Sequence, residues 1–260
     1  IISGGGVLYS EAEEEISSFA KKHNIPVIAT VMGIGCMHKD DPYYIGATGG
    51  LGEGSANNLS RDTDLALAIG TKLADFTTAS WTNFQNENFK LVSVNTSRFD
   101  TVKHRAFPVV SDAKIGLKEL SKALGDWKAP NGWYQRAIEE KNKWEEYVAK
   151  ESGPTNQELP SYAHAVGAVY RNSDPSDIVV TAAGGLVGEV VQIWKPKEIN
   201  TFETEWGFSC MGYEISGALG IKMAKPDQDV VVFVGDGSYL LQNSDIYSSV
   251  LYDKKLIIVV

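Results

Sequence analysis

Near the carboxyl end, five apolar residues, Val230-Val231-Val232-Phe233-Val234, run into Gly235-Asp236-Gly237-Ser238. An apolar run of this length bounded by glycine reads as a buried strand, and a helical pattern follows it at once. An acid between two glycines at a strand exit can close a tight Asp-Gly turn. It can also give a hard oxygen to Mg²⁺, while Gly237 and Ser238 present backbone N–H groups to an anion. In a parallel sheet, ligands bind outside the carboxyl ends of the strands, and this loop lies at such an end. A metal-bridged diphosphate needs cation and anion donors at one point. The tetrapeptide alone serves the turn and the metal site equally.

Other stretches compete for chemistry. Gly4-Gly5-Gly6 separates a strand from a helix, where a dinucleotide phosphate often sits. No G-x-G-x-x-G is present, however, and the helix that follows opens with Glu11, Glu13, Glu14 and Glu15, which already complement its positive end. A plain strand-to-helix turn is the expectation there. The glycine-rich run Gly46 to Ser55 lines a ligand or interdomain surface, or is a long loop that caps a helix at Ser55. No Walker G-x-x-x-x-G-K-[ST] and no G-x-S-x-G elbow occur. His23, His38, His104 and His164 lack metal-ligand spacing and read as packing or surface residues.

The elements that must position these residues alternate between short apolar runs and helical patterns, the mark of βαβ units and parallel sheets. Strands are predicted at Ile1–Ser3, Val27–Thr30, Leu65–Gly70, Leu91–Asn95 and near Val109. Ser10 and Glu13 predict a capping box for a helix that turns Ile16, Phe19 and Ala20 to the core. A further helix is expected over Asp112 to Leu124. Between Gly125 and Pro160, breakers flank one polar helix from about Trp133 to Lys150, which reads as a connector. The second half predicts helix Ser161 to Tyr170, strand Ile178–Ala183, loop Gly184-Gly185, a short helix to Trp194 and strand Asn200–Glu205. Helix Gly212 to Ala224, strand Val230–Val234, helix Tyr239 to Tyr252 and a last strand over Leu256–Val260 follow. The expected fold class is α/β, with two Rossmann-like parallel-sheet domains: 1–127, a connector over 128–158, and 159–260.

Composition bounds the function. Apolar residues are 43% and charged residues 22% of the 260, as in an ordinary globular protein. With 24 basic against 33 acidic residues the net charge is −9, which leaves no basic stripe for a nucleic acid. No apolar run approaches the ~20 residues of a membrane span. Cys36 and Cys210 stand far apart, which fits a reduced, cytoplasmic protein. Strand-like residues at both ends lead to the expectation that the chain is a piece of a longer protein.

The run GDGSYLLQNSDIYSSVLYDKKLIIVV resembles the diphosphate-binding domain of thiamine-diphosphate enzymes, in which GDG is followed by a helix and a second strand. In that family an Asn or Asp-Asn at the end of the second strand completes the motif; the chain stops at Val260, short of that point. Trp206-Gly207-Phe208-Ser209-Cys210-Met211-Gly212-Tyr213 is similar to the segment in which a bulky apolar residue props the cofactor into a bent shape, which places Met211 in that role. Thr181-Ala182-Ala183-Gly184-Gly185-Leu186 matches the strand and loop on the other side of the diphosphate, although many relatives carry polar side chains where Gly185 and Leu186 stand. The resemblance implies thiamine diphosphate and Mg²⁺ as cofactors, Asp236 as metal ligand, and Gly184, Gly185, Leu186, Ser209, Met211, Gly235, Gly237 and Ser238 around the cofactor. The first half resembles the central domain of the family, which binds FAD or a nucleotide in some members; FAD is not expected here.

Within the family, the same run and FETEWGFSCMGYEISGALGIKMA are similar to the hydrolases that open a cyclic 1,2-diketone to a deoxy sugar acid in inositol breakdown. Acetolactate synthases and 2-oxo-acid decarboxylases are the alternative, and a non-catalytic FAD- or nucleotide-binding module is the rival from another class. A small-molecule cyclic diketone substrate and a homodimer or homotetramer are implied. The catalytic Glu belongs to a first domain that these residues lack, so the 260 residues alone are expected to be inactive. Glu189, Glu203 and Glu205 are candidates for the mouth of the site, and no general base is assigned.

Overall fold

The computed structural model describes all 260 residues. Their contacts divide the chain into two units, Ile1–Tyr147 and Val148–Val260. No helix is long and apolar enough to cross a membrane.

The first unit runs β1 (Ile2–Ser3), α1 (Gly5–Tyr9), α2 (Glu13–His23), β2 (Val27–Ala29), β3 (Tyr44–Ala47), α3 (Gly54–Asp62), β4 (Leu65–Ile69), α4 (Asp75–Thr78), β5 (Lys90–Asn95), α5 (Arg98–Thr101), β6 (Phe107–Val110), α6 (Ala113–Leu124) and most of α7 (Asn131–Glu151). The strands form one parallel sheet in the order β3-β2-β1-β4-β5-β6. The sequence did not suggest β3, because its four buried residues include Gly46 and follow a polar stretch. The expected capping box is absent. Helix α2 starts at Glu13 behind Ala12 with no side-chain cap, because Glu11 turns left-handed (φ 49°) and Ser10 donates instead to Asp112 Oδ2 at 2.5 Å. Asp112 caps α6 by accepting from the Ile115 N–H. Helix α3 opens behind Glu53 rather than at Ser55, whose hydroxyl donates to Ile45 O.

The glycines after β1 let two loops meet. A Cβ on Gly4 would stand 2.4 Å from Gly70 O, and one on Gly6 would stand 2.6 Å from Gly70 Cα. The Gly6 N–H donates to Gly70 O at 3.0 Å. The strand order reverses between β1 and β4, the crevice where such sheets take dinucleotides, and here the backbone of the β4 exit packs into it. Gly4→Ala is therefore expected to destabilise the protein by about 1–3 kcal/mol through overpacking. Gly132→Ala, which meets nothing within 4 Å, is expected to be neutral or stabilising as a helical Gly→Ala change. Urea unfolding of the two variants checks the contrast.

The second unit contains α8 (Tyr162–Asn172), β7 (Ile178–Thr181), α9 (Leu186–Ile193), β8 (Phe202–Thr204), α10 (Tyr213–Ala224), β9 (Val230–Phe233), α11 (Asp236–Gln242), α12 (Ser244–Leu251) and β10 (Ile257–Val259). Its parallel sheet has the order β10-β9-β7-β8. Strands covered on both faces read as unbroken apolar runs, and Val230 to Phe233 are all buried. Ile178, Val180, Val230, Val232 and Val234 pack with Ala218 of α10 on one face. On the other face, Phe233 meets Trp194 edge-on at 5.8 Å, and Trp194 meets Tyr170 at 5.4 Å. The single helix expected over Tyr239 to Tyr252 is two helices that meet at Asn243, and the first begins at Asp236 itself.

Candidate functional site

In the second sheet, β7 is flanked by β8 on one side and β9 on the other, so the order of the strands reverses between β7 and β9. Ligands of open α/β sheets bind at such a switch point, outside the carboxyl ends of the strands. The two exits there are Ala182-Ala183-Gly184-Gly185 and Val234-Gly235-Asp236-Gly237, both singled out from sequence.

The segment before α10 joins them. The Ser209 hydroxyl donates to Ala182 O at 3.4 Å, and a Cβ on Gly237 would stand 3.0 Å from Met211 Cε. Met211 therefore lies over Gly237 while half of its own surface remains exposed, at 51%. Gly212 is left-handed (φ 96°) and backs onto Gln242 of α11. Three stretches far apart in sequence thus converge: Ala182–Leu186, Ser209–Gly212 and Gly235–Ser238.

Each predicted residue takes a definite place. Gly184 is exposed with φ 84°, Gly185 caps α9, and Leu186 opens that helix half-buried. Gly235 caps α11; Asp236 is exposed, and its Oδ1 accepts from the Gly237 N–H at 2.8 Å. Ser238 is buried. Nothing lies within 4 Å of a Cβ built on Gly184, Gly185 or Gly235, so open space lies above all three. In the first turn of α9 the Gly188 N–H donates to Gly185 O at 3.1 Å, which leaves the Leu186 and Val187 N–H groups ahead of it as the donors the helix start offers a ligand. Open space, unclaimed backbone donors and one acid at its rim suit a diphosphate with a divalent cation. No group of three or more His, Cys, Asp or Glu side chains is placed to hold a metal by itself. Mg²⁺ accepts one or two protein carboxylates when phosphate oxygens and water complete its shell, so a lone Asp236 fits a metal shared with the ligand.

The three acids expected at the mouth differ. Glu205 accepts from the Phe208 N–H at 2.8 Å and the Cys210 N–H at 2.7 Å, which braces Ser209 in its left-handed turn (φ 53°). Desolvation pushes its carboxyl up, but those N–H groups outweigh it and hold it below the ordinary range. Glu203 on β8 is raised by burial. Glu189 is half-buried in the first turn of α9. Desolvation and the Glu205 charge push the Cys210 thiol above its usual value, which disfavours thiolate chemistry.

The histidines are engaged in local structure. His23 is buried between Trp127 O, 2.7 Å from Nδ1, and the Ser121 hydroxyl, 3.1 Å from Nε2; a carbonyl only accepts, so the proton sits on Nδ1. His164 completes a capping box with Ser161, His104 meets Trp81 at 4.5 Å with the rings tilted by 55°, and His38 faces Asp40 at the surface.

Sequence reasoning missed Glu214, which is fully buried and binds Ala183 and Gly212. The signal was available. Helix α10 buries positions 214, 215, 218, 219 and 222, so an acid at 214 falls on its core stripe, where a carboxylate must have partners.

Both halves of the chain resemble known proteins. Residues 1–120 match the model of the thiamine pyrophosphate enzyme central domain, and residues 182–260 match that of the C-terminal TPP binding domain. The chain is 35% identical over 282 residues to a 3D-(3,5/4)-trihydroxycyclohexane-1,2-dione hydrolase of Geobacillus thermodenitrificans, covering 100% of the chain and 44% of that protein. Proteins of the same name from Lacticaseibacillus casei (34% over 286 residues; 100% and 44%) and Clostridium tetani (35% over 280 residues; 98% and 44%) are similar as well. The chain thus spans under half the length of these relatives. With both units matched to successive domains of one family, the chain belongs to the thiamine pyrophosphate enzymes.

Proposed function

We propose that this chain is the diphosphate-holding part of a thiamine-diphosphate- and Mg²⁺-dependent hydrolase that opens a cyclic 1,2-diketone by cleaving the C–C bond between its carbonyls. The observation that carries the reading is the convergence of the β7 and β9 exits with Met211 at one switch point. The names of the relatives supply the substrate class.

In this reading Asp236 holds Mg²⁺, and the N–H groups of Gly184, Gly185, Leu186 and Ser238 face the diphosphate. Gly237 leaves room for Met211, whose side chain props the cofactor. Ser209 and Gly235 shape the walls. When bound, thiamine diphosphate supplies the electron sink for the negative charge left as the C–C bond breaks. Glu205 acts as a clamp on its own loop, since both carboxylate oxygens are taken by N–H groups. The first unit is structural and takes no FAD at its β1/β4 switch point, where Gly4 and Gly6 pack on Gly70.

Product analysis of the full-length protein tests the reading. With Mg²⁺ and thiamine diphosphate, 3D-(3,5/4)-trihydroxycyclohexane-1,2-dione is expected to give one open-chain acid per ring without CO₂. Release of CO₂ from pyruvate, with the diketone left intact, would assign the chain to the 2-oxo-acid branch instead.

A further inference from the structure

Glu214 stands in the first turn of α10 with 0% of its surface exposed. A carboxylate so buried is costly unless hydrogen bonds replace the lost water. Its Oε1 accepts from the Ala183 N–H at 3.0 Å, and its Oε2 accepts from the Gly212 N–H at 2.9 Å. Each donor belongs to a different wall of the site. Ala183 precedes the left-handed Gly184 (φ 84°), and Gly212 is itself left-handed (φ 96°) and follows Met211. Glycines give these loops backbone freedom that a ligand would otherwise have to freeze.

We propose that Glu214 is the positioning residue of the site: one carboxylate staples the Gly184-Gly185 loop to Met211-Gly212 and sets the separation of the two walls before any cofactor arrives. It also withdraws the Ala183 and Gly212 N–H groups from the ligand, leaving those of Gly184, Gly185 and Leu186 as the anion donors of that wall. The inference rests on the reading of this site as the diphosphate pocket, and Glu214 touches neither cofactor nor substrate in it. Gln at 214 keeps the shape but can accept from only one of the two N–H groups and sets an NH₂ against the other.

In the full-length protein, Glu214→Gln is expected to weaken Mg²⁺-dependent thiamine diphosphate binding, measured by calorimetry, about tenfold or more. Val166→Ala, a buried change in α8, serves as a comparison for general destabilisation and is expected to bind within about twofold of the unaltered protein. Hydrogen exchange on the cofactor-free, unaltered protein reads the staple directly: peptides containing the Ala183 and Gly212 amides are expected to be protected. Cofactor affinity of Glu214→Gln within about twofold of the unaltered protein would overturn the proposal, as would unprotected exchange at those two amides. If Glu214→Gln does not fold, the exchange result decides. An unaltered protein that binds no thiamine diphosphate although both amides are protected refutes the reading of the pocket, and the role of the staple toward cofactor with it.

Discussion

Asp236→Ala in the full-length protein is expected to reduce Mg²⁺-dependent thiamine diphosphate affinity at least about 100-fold, or about 2.7 kcal/mol. Asp236 is the acid at the β9 exit, and no cluster of three or more His, Cys, Asp or Glu side chains offers the metal another site. Its side chain is exposed and accepts from the Gly237 N–H, so its loss leaves no cavity and no buried donor of the kind that lowers stability. The urea midpoint is therefore expected to stay close to that of the unaltered protein while binding fails. Asp236→Asn separates charge from shape: it keeps an oxygen at the same place and is expected to bind Mg²⁺ poorly, because the hard cation selects the carboxylate. Titration calorimetry with and without Mg²⁺ measures both variants. Equal affinity in Asp236→Ala and the unaltered protein would remove the metal role.

Phe233→Ala should produce the largest loss of stability, about 3–5 kcal/mol. Phe233 is 1% exposed on the central strand β9, and its ring meets Trp194 edge-on at 5.8 Å. Truncation removes the burial of a large side chain and opens a cavity beside Trp194, which keeps its edge contact with Tyr170. Phe233 lies two residues before Gly235, so the same change loosens the loop that carries Asp236. Denaturant unfolding followed by tryptophan fluorescence checks the size of the effect. Phe233→Leu, which keeps most of the apolar volume, is expected to cost less than half as much.

Much of this was legible in the residues, for physical reasons. Buried parallel strands need apolar side chains on both faces, so Val230–Val234 and Ile178–Ala183 stood out without reference to any fold. Helix α6 was marked by Asp112, whose side chain caps it. The start of α2 misled, because Ser10 and Glu13 have capping-box spacing, yet the Ser10 hydroxyl is claimed by Asp112, 102 residues away in sequence. Likewise β3 contains a glycine with φ 135° whose Cβ position is filled by the Glu53 carboxylate, a long-range demand that no local pattern reveals. Short-range signals identify elements; partners distant in sequence decide where the elements begin.

The site followed the same division. Gly184, Gly185 and the Gly235–Ser238 loop were marked by glycine at strand exits, a local feature. That Met211 lies over Gly237, and that Glu214 ties Ala183 to Gly212, depends on where α10 crosses the sheet. Glu205 read as a surface acid at the mouth, and only the path of its loop turns it into a brace for Ser209.

The most direct test is a crystal of the full-length protein grown with thiamine diphosphate and Mn²⁺ in place of Mg²⁺. An anomalous peak bonded to an Asp236 carboxylate oxygen, with the diphosphate between the Gly184-Gly185 loop and Ser238, is the predicted result. A metal bound elsewhere, or a diphosphate that leaves the β7/β9 switch point empty, would contradict it.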